Sequence, residues 1–117
     1  MVLAGYSNLS ALKAYGLKMG ATSNNIANGN SDGFKKSRAL LKEGPNNNVE
    51  VEIDCVETAG HTVFEGREGE NTERELSNVD LAEEIPRTIP IVRGYEANSV
   101  AIKTQEEMLG SIVDIIS

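Results

Sequence analysis

The chain has 117 residues, enough for one hydrophobic core and too few for two. It is 39% hydrophobic and 25% charged, a composition that folds, and no apolar run reaches the ~18 residues of a membrane span. The single Cys55 excludes an internal disulfide framework, the single His61 excludes any mechanism needing two imidazoles, and a net charge of −7 argues against nucleic acid as a partner.

The charge is unevenly spread. Residues 1–42 carry +5, residues 43–84 carry −11 and residues 85–117 carry −1. A basic head and an acidic middle attract each other, within one molecule or between neighbours in a lattice. Residues 1–19 are interrupted by Ser, Asn, Lys and Gly and lack the apolar centre of a secretory signal. The expectation is a protein that stays in the cytoplasm or leaves it by a route that cleaves no such signal.

The amino-terminal stretch repeats at coiled-coil spacing. Val2, Leu9, Gly16 and Ser23 form one column, and Gly5, Leu12, Met19 and Ile26 form a second, offset by three. Small residues in this seam admit a close neighbour, while Gly16 and Gly20 each weaken an isolated helix by up to about 1 kcal/mol. The helix therefore needs a partner. Next, Val49, Val51, Ile53 and Cys55 alternate with Glu50, Glu52, Asp54 and Val56, the period of a half-buried strand. Ala59-Gly60 reads as a turn and residues 61–64 as the returning strand. Cys55 is expected to be a small buried hydrophobe, and the charged residues 65–75 a mobile loop.

The carboxy-terminal stretch is the more regular. Leu81, Thr88, Tyr95, Ile102, Leu109 and Ile116 fall seven apart, with Ile85, Val92, Ser99, Glu106 and Val113 as the second column. Ile89 and Ile112 widen the stripe. Ser77 and Asp80 resemble a capping box. Pro86 and Pro90 each cost roughly 3 kcal/mol in a helix interior, so a break or kink is expected there, followed by a long helix from about residue 91. The fold class is mainly α with a small β insert. The boundaries are 1–34 for the first helix and its Asn-rich turn, 35–76 for the hairpin and acidic loop, and 77–117 for the second helix, in one structural domain.

Motifs for chemistry are sparse. Ser10 and Lys13 have the spacing of a serine–lysine acyl enzyme, but no supporting motif follows. Residues 28–33 imitate the opening of an EF-hand loop, yet Ala39 stands where a bidentate Glu is required. His61 with Cys55 or Asp54 offers too few ligands for a metal. Asp80, Glu83 and Glu84 read as helix-start charges. No catalytic residue, metal site or cofactor is assigned, and the chain reads as a non-enzyme.

Two segments carry a resemblance. Residues 23–34 read SNNIANGNSDGF, and residues 77–109 read SNVDLAEEIPRTIPIVRGYEANSVAIKTQEEML. Together they resemble the terminal signatures of the bacterial flagellar basal-body rod and hook family, most closely its short proximal rod proteins. The resemblance implies terminal helices packed as an antiparallel coiled coil with the intervening domain further out, so that the β-hairpin read above lies between the two helices. It also implies a structural subunit that self-assembles into a tubular, rod-like axial structure of the basal body, in the periplasm. Its partners would be further copies, other rod and hook subunits, and the flagellar export apparatus, through which it would leave without a cleaved signal peptide. By position, Asn24, Asn25, Asn28, Gly33 and Phe34 would shape the turn after the first helix, and Arg93, Tyr95, Ala97 and Asn98 would make inter-helix or inter-subunit contacts. Assembly contacts are assigned to Leu9, Leu12, Met19, Ile26, Val92, Tyr95, Ile102, Leu109, Val113 and Ile116. Ser31-Asp32 stands where the family usually has Thr-Pro. The rival reading is a cytoplasmic helical adaptor or assembly factor of the export system.

Overall fold

In the computed structural model the backbone of residues 2–116 and the side chains of residues 7–66 and 68–115 are described. Helix α1 (Val2–Ala27) leads through a turn to the hairpin β1 (Ser37–Glu43) and β2 (Val49–Cys55). A second hairpin, β3 (Thr62–Arg67) and β4 (Glu70–Glu75), precedes the long helix α2 (Leu81–Ile116).

The insert is two antiparallel hairpins rather than the single one expected from residues 49–64. β2 pairs backwards with β1, with Ala39 opposite Ile53 and Leu41 opposite Val51. The turn between them is Gly-Pro-Asn-Asn-Asn, where Asn46 and Asn47 both take φ of 60°, a left-handed backbone that asparagine tolerates. The expected mobile loop 65–75 is instead most of the second hairpin. Glu68 and Gly69 make its two-residue turn with φ of 49° and 87°, the twist a tight hairpin needs. Cys55 is exposed at the end of β2, correcting its assignment to the core.

α2 runs unbroken through Pro86 and Pro90. Ala82, Pro86 and Pro90 lie four apart and are all exposed, so the carbonyls that lose their helical N–H partners sit on the solvent side. Glu84 and Ile91, both buried, pin the flanking turns from the opposite side. The helix is capped by Asp80 itself, whose Oδ1 accepts the Ala82 N–H at 3.0 Å, while the Ser77 hydroxyl accepts only the Val79 N–H at 3.2 Å.

The helices pack antiparallel. Tyr15 lies over Gly94, Asn25 reaches Glu84, and Gly29 abuts Leu81, so positions rise along one helix as they fall along the other. α1 also packs against both strands of the first hairpin, whereas β3–β4 makes no comparable packing with either helix. The buried hydrophobic side chains among the described residues are Ala11, Ala14, Ala39 and Ile91. The molecule measures 85 × 24 × 15 Å, with a radius of gyration of 21.2 Å against about 13 Å for a compact chain of this length. Its accessible surface is 8315 Å², where a compact monomer of this mass would expose about 6,200 Å². So thin a core leaves much apolar surface uncovered.

Candidate assembly interface

Three buried or half-buried asparagines and one glycine position the helices. Asn25 is 1% exposed, and its amide binds both backbone groups of Ser37: Oδ1 accepts the N–H at 2.9 Å and Nδ2 donates to the carbonyl at 2.8 Å. Nδ2 also lies 3.5 Å from Glu84 Oε2, so α1, β1 and α2 meet at one side chain. Glu84, expected as a solvated helix-start charge, is only 3% exposed. Asn78 repeats the device at the foot of α2. Its Oδ1 accepts the Lys36 N–H at 2.7 Å, and Nδ2 donates to the carbonyls of Val56 and Thr58 at 2.7 and 2.9 Å. Asn28 closes the first helix locally, donating to the Asn24 carbonyl at 2.8 Å and to its Oδ1 at 3.1 Å, and accepting from the Ser31 hydroxyl at 3.0 Å. Gly94 permits the closest helix approach, because a Cβ there would lie 2.5 Å from the ring of Tyr15.

The remaining motif residues have separate places. Gly33 takes φ of 68°, and its N–H donates to the Glu75 carbonyl at 3.0 Å, tying the turn to the second hairpin. Phe34 is half-buried and its carbonyl accepts the Asn78 N–H at 3.2 Å. Asn98 donates to the Gly94 carbonyl within its own helix at 2.8 Å, and Arg93 and Ala97 are exposed. The Ser10 hydroxyl donates to the Ser7 carbonyl at 2.8 Å and accepts the Val49 N–H at 3.0 Å, which makes it a strut between α1 and β2. At the second hairpin Glu75 pairs with Lys35, and its carboxyl is held below the ordinary value of 4.5 first by that hydrogen bond, then by the Gly60 N–H. Arg74 bridges Asp32 at 3.3 Å and Glu65 at 3.0 Å.

The proposed contact stripe divides between covered and open positions. Leu12, Met19 and Ile26 are half-buried on α1, with Met19 against α2, and Ile102 is half-buried on α2. Leu9, Val92, Tyr95, Leu109 and Val113 are exposed. The side chain of Ile116 lies outside the described residues, as does that of Val2. The inner face of α2 is Glu84, Ile91, Asn98 and Gln105, one position ahead of the expected second column. Ile85 and Val92 of that column are consequently turned outward, and with Leu81 and Ile89 they form an open apolar strip in which Ile85 is 54% and Ile89 57% exposed. Between the helices a groove of about 340 Å³ is lined by Tyr15, Gly16, Met19, Ile91, Val92 and Tyr95. A Cβ at Gly16 or Gly20 would touch nothing within 4 Å. Such an arrangement has the shape of a contact surface, with no constellation of acids, bases or nucleophiles on it.

Sequence reasoning missed Asn78 and Gly94. A glycine in the middle of a long helical stripe signals close approach, and that signal was present at Gly94. Asn78 carried none, since its partners are backbone groups of three distant segments.

Residues 74–115 match the family described as flagellar basal body rod FlgEFG protein, C-terminal, a span that covers all but the last residue of α2. The chain is also 32% identical over 84 residues to the flagellar hook protein FlgE of Salmonella typhimurium, and equally to that of Salmonella typhi. These alignments take in 70% of this chain and 21% of each hook protein, so the chain spans about a fifth of the length of the relatives it matches. The match over residues 74–115 and the 32% identity to the hook protein together support a protein of the flagellar basal-body rod and hook family, a structural family of the motility apparatus and not an enzyme family.

Proposed function

We propose that the protein is a rod-like structural subunit of the basal body that self-assembles through its terminal helices into a tubular axial structure. The antiparallel pair of α1 and α2 serves as a short coiled coil, and its uncovered faces bind neighbouring subunits. One observation carries this reading: α2 packs one face on α1 yet presents a second apolar strip, Leu81, Ile85, Ile89 and Val92, to solvent. Exposed apolar strips of this kind mark association surfaces. Leu81, Ile85 and Ile89 of the strip lie outside the inter-helix groove, with Val92 on the shared edge, so copies joined strip to groove would make a heterologous contact, which propagates instead of closing. In this reading the partners are further copies and other rod and hook subunits, the export apparatus delivers the chain, and the site of action is the periplasmic part of the flagellum.

The test is mass spectrometry of hook–basal bodies purified from the source bacterium. The chain at an abundance fixed relative to the other axial proteins supports the reading. Its absence from them, with abundant protein in the cytosol, refutes it in favour of a cytoplasmic export adaptor.

A further inference from the structure

Two features of the chain leave apolar surface open, and each has the chemistry to receive the other. The first is the β3–β4 ribbon. A hairpin of two strands is marginal in water, and every residue of β4 is exposed. Phe64 stands directly opposite Glu73, with Thr62 and Glu75 as the next pair on the same face. Its ring is 69% exposed, more than any other described aromatic. Glu75 is engaged by Lys35, whereas among the described residues no ion pair holds Glu73.

The second is a groove of about 630 Å³ between α1 and β2, walled by Leu9, Leu17, Val49 and Val51. The Ser10 bond to the Val49 N–H closes its floor. Leu9 and Leu17 are each about half exposed. Lys13 stands on the rim formed by α1, and among the described residues it has no ion pair. Glu50 stands on the rim formed by β2. Among the described residues, none of β3 or β4 lines the groove. In its own chain the ribbon is tied to the turn beyond α1, through the Gly33 N–H to the Glu75 carbonyl. The groove ends at Leu17, ten residues or about 15 Å before that helix ends.

We propose that the ribbon of one copy docks in the α1–β2 groove of a second copy, with the Phe64 ring between Leu9, Leu17 and Val51 and Glu73 facing Lys13. Charge complementarity favours a second copy as the occupant. The ribbon is acidic and belongs to the block that carries −11. Lys13 supplies the opposite charge on the α1 wall, while the β2 wall belongs to the ribbon's own acidic block. The acid on the far rim, Glu50, fixes the orientation, because a reversed ribbon would bring it against Glu73. Knob and groove are different patches, so the contact runs head to tail. It uses no residue of α2, so it is tested separately from the open strip on that helix.

The test replaces Phe64 with the photoreactive p-benzoylphenylalanine in a mixture of isotopically light and heavy full-length chains. The expected result is light-to-heavy cross-links that map to residues 9–17 or 48–51. Cross-links confined to other segments or to single copies, or none at all, would overturn the proposal. Lys13→Glu and Glu73→Lys should each lower the intermolecular yield roughly fivefold, as loss of one exposed ion pair implies. Combining the two should restore it, and Glu50→Lys should raise it. Single reversals without effect would also overturn the proposal. Val92→Asp separates the two readings: it should disable helix-mediated assembly and leave the Phe64 cross-link intact.

Discussion

Asn25 holds Ser37 by both of its backbone groups, at 2.9 Å for the N–H and 2.8 Å for the carbonyl, in the manner of a neighbouring strand. The side chain thereby stands in for the ladder partner that the start of β1 lacks on that edge. It joins a helix to a sheet without apolar contact, which suits a molecule whose buried hydrophobic residues are three alanines and one isoleucine among those described. Polar side chains on backbone groups, more than oil, set the angle at which α2 leaves the insert.

Asn25→Ala should therefore be far costlier than its size suggests. Two backbone groups of Ser37 and the Glu84 carboxylate would lose their partner together, a destabilisation of about 3 kcal/mol at the usual cost of unsatisfied buried groups. Urea unfolding of the purified chain measures it. A loss below about 0.5 kcal/mol, the range of an ordinary surface substitution, would show that Asn25 is no hub.

Gly94→Ala places a methyl against the Tyr15 ring and should destabilise the helix pair by roughly 1–3 kcal/mol, as overpacking does. In a Tyr15→Ala background the same change should turn neutral or stabilising by up to ~1 kcal/mol, because alanine favours helix over glycine. A double-mutant cycle reads this reversal directly. Additive effects would mean that the ring and the glycine do not meet.

The lowered pKa of Glu75 gives the acid limb of stability a defined source. Its folded value lies below the ordinary 4.5, chiefly through the Lys35 hydrogen bond, so its contribution is present above 4.5 and disappears as pH falls through the folded value. Urea midpoints measured from neutral pH to below 4.5 should fall less steeply in Glu75→Gln than in the parent. Lys35→Met should flatten the same limb. An unchanged slope in both variants would remove Glu75 from the acid response.

Much of the scaffold was legible. Both helices showed in their apolar spacing, and β2 in its alternation of Val and Glu. β1 was missed because its hydrophobic residues, Ala39, Leu40 and Leu41, run together without alternation, and its turn was hidden in a run of asparagines. β3–β4 was missed because its turn carries Glu68 where Asn or Asp usually signals one, and because acids fill its faces. The prolines were overweighted, since their cost depends on whether the freed carbonyls reach water. On α2 the second column slipped by one position, as burial followed Glu84 and Ile91 instead of Ile85 and Val92. Hydrophobicity could not reveal that, because three of the four inner positions, Glu84, Asn98 and Gln105, are polar and only Ile91 is apolar.

The far end of α2 should behave differently from its packed part. In the observed register Val2 of α1 falls opposite residue 107 or 108, so residues 108–115 extend past the described part of α1. Leu109, Ile112 and Val113 are exposed there. Amide hydrogen exchange of the isolated chain should be fast across residues 108–115 and slow across residues 84–102. Uniform protection along α2 would point to a partner for the extension that this register lacks.

The most direct test of the assembly role is Ile89→Asp. Ile89 is 57% exposed on the open strip, so the variant should unfold in urea within about 0.5 kcal/mol of the parent. Its incorporation into hook–basal bodies, measured by mass spectrometry of purified particles, should nevertheless be lost. Normal incorporation of a normally stable Ile89→Asp chain would contradict the claim that this face of α2 joins the subunit to its neighbours.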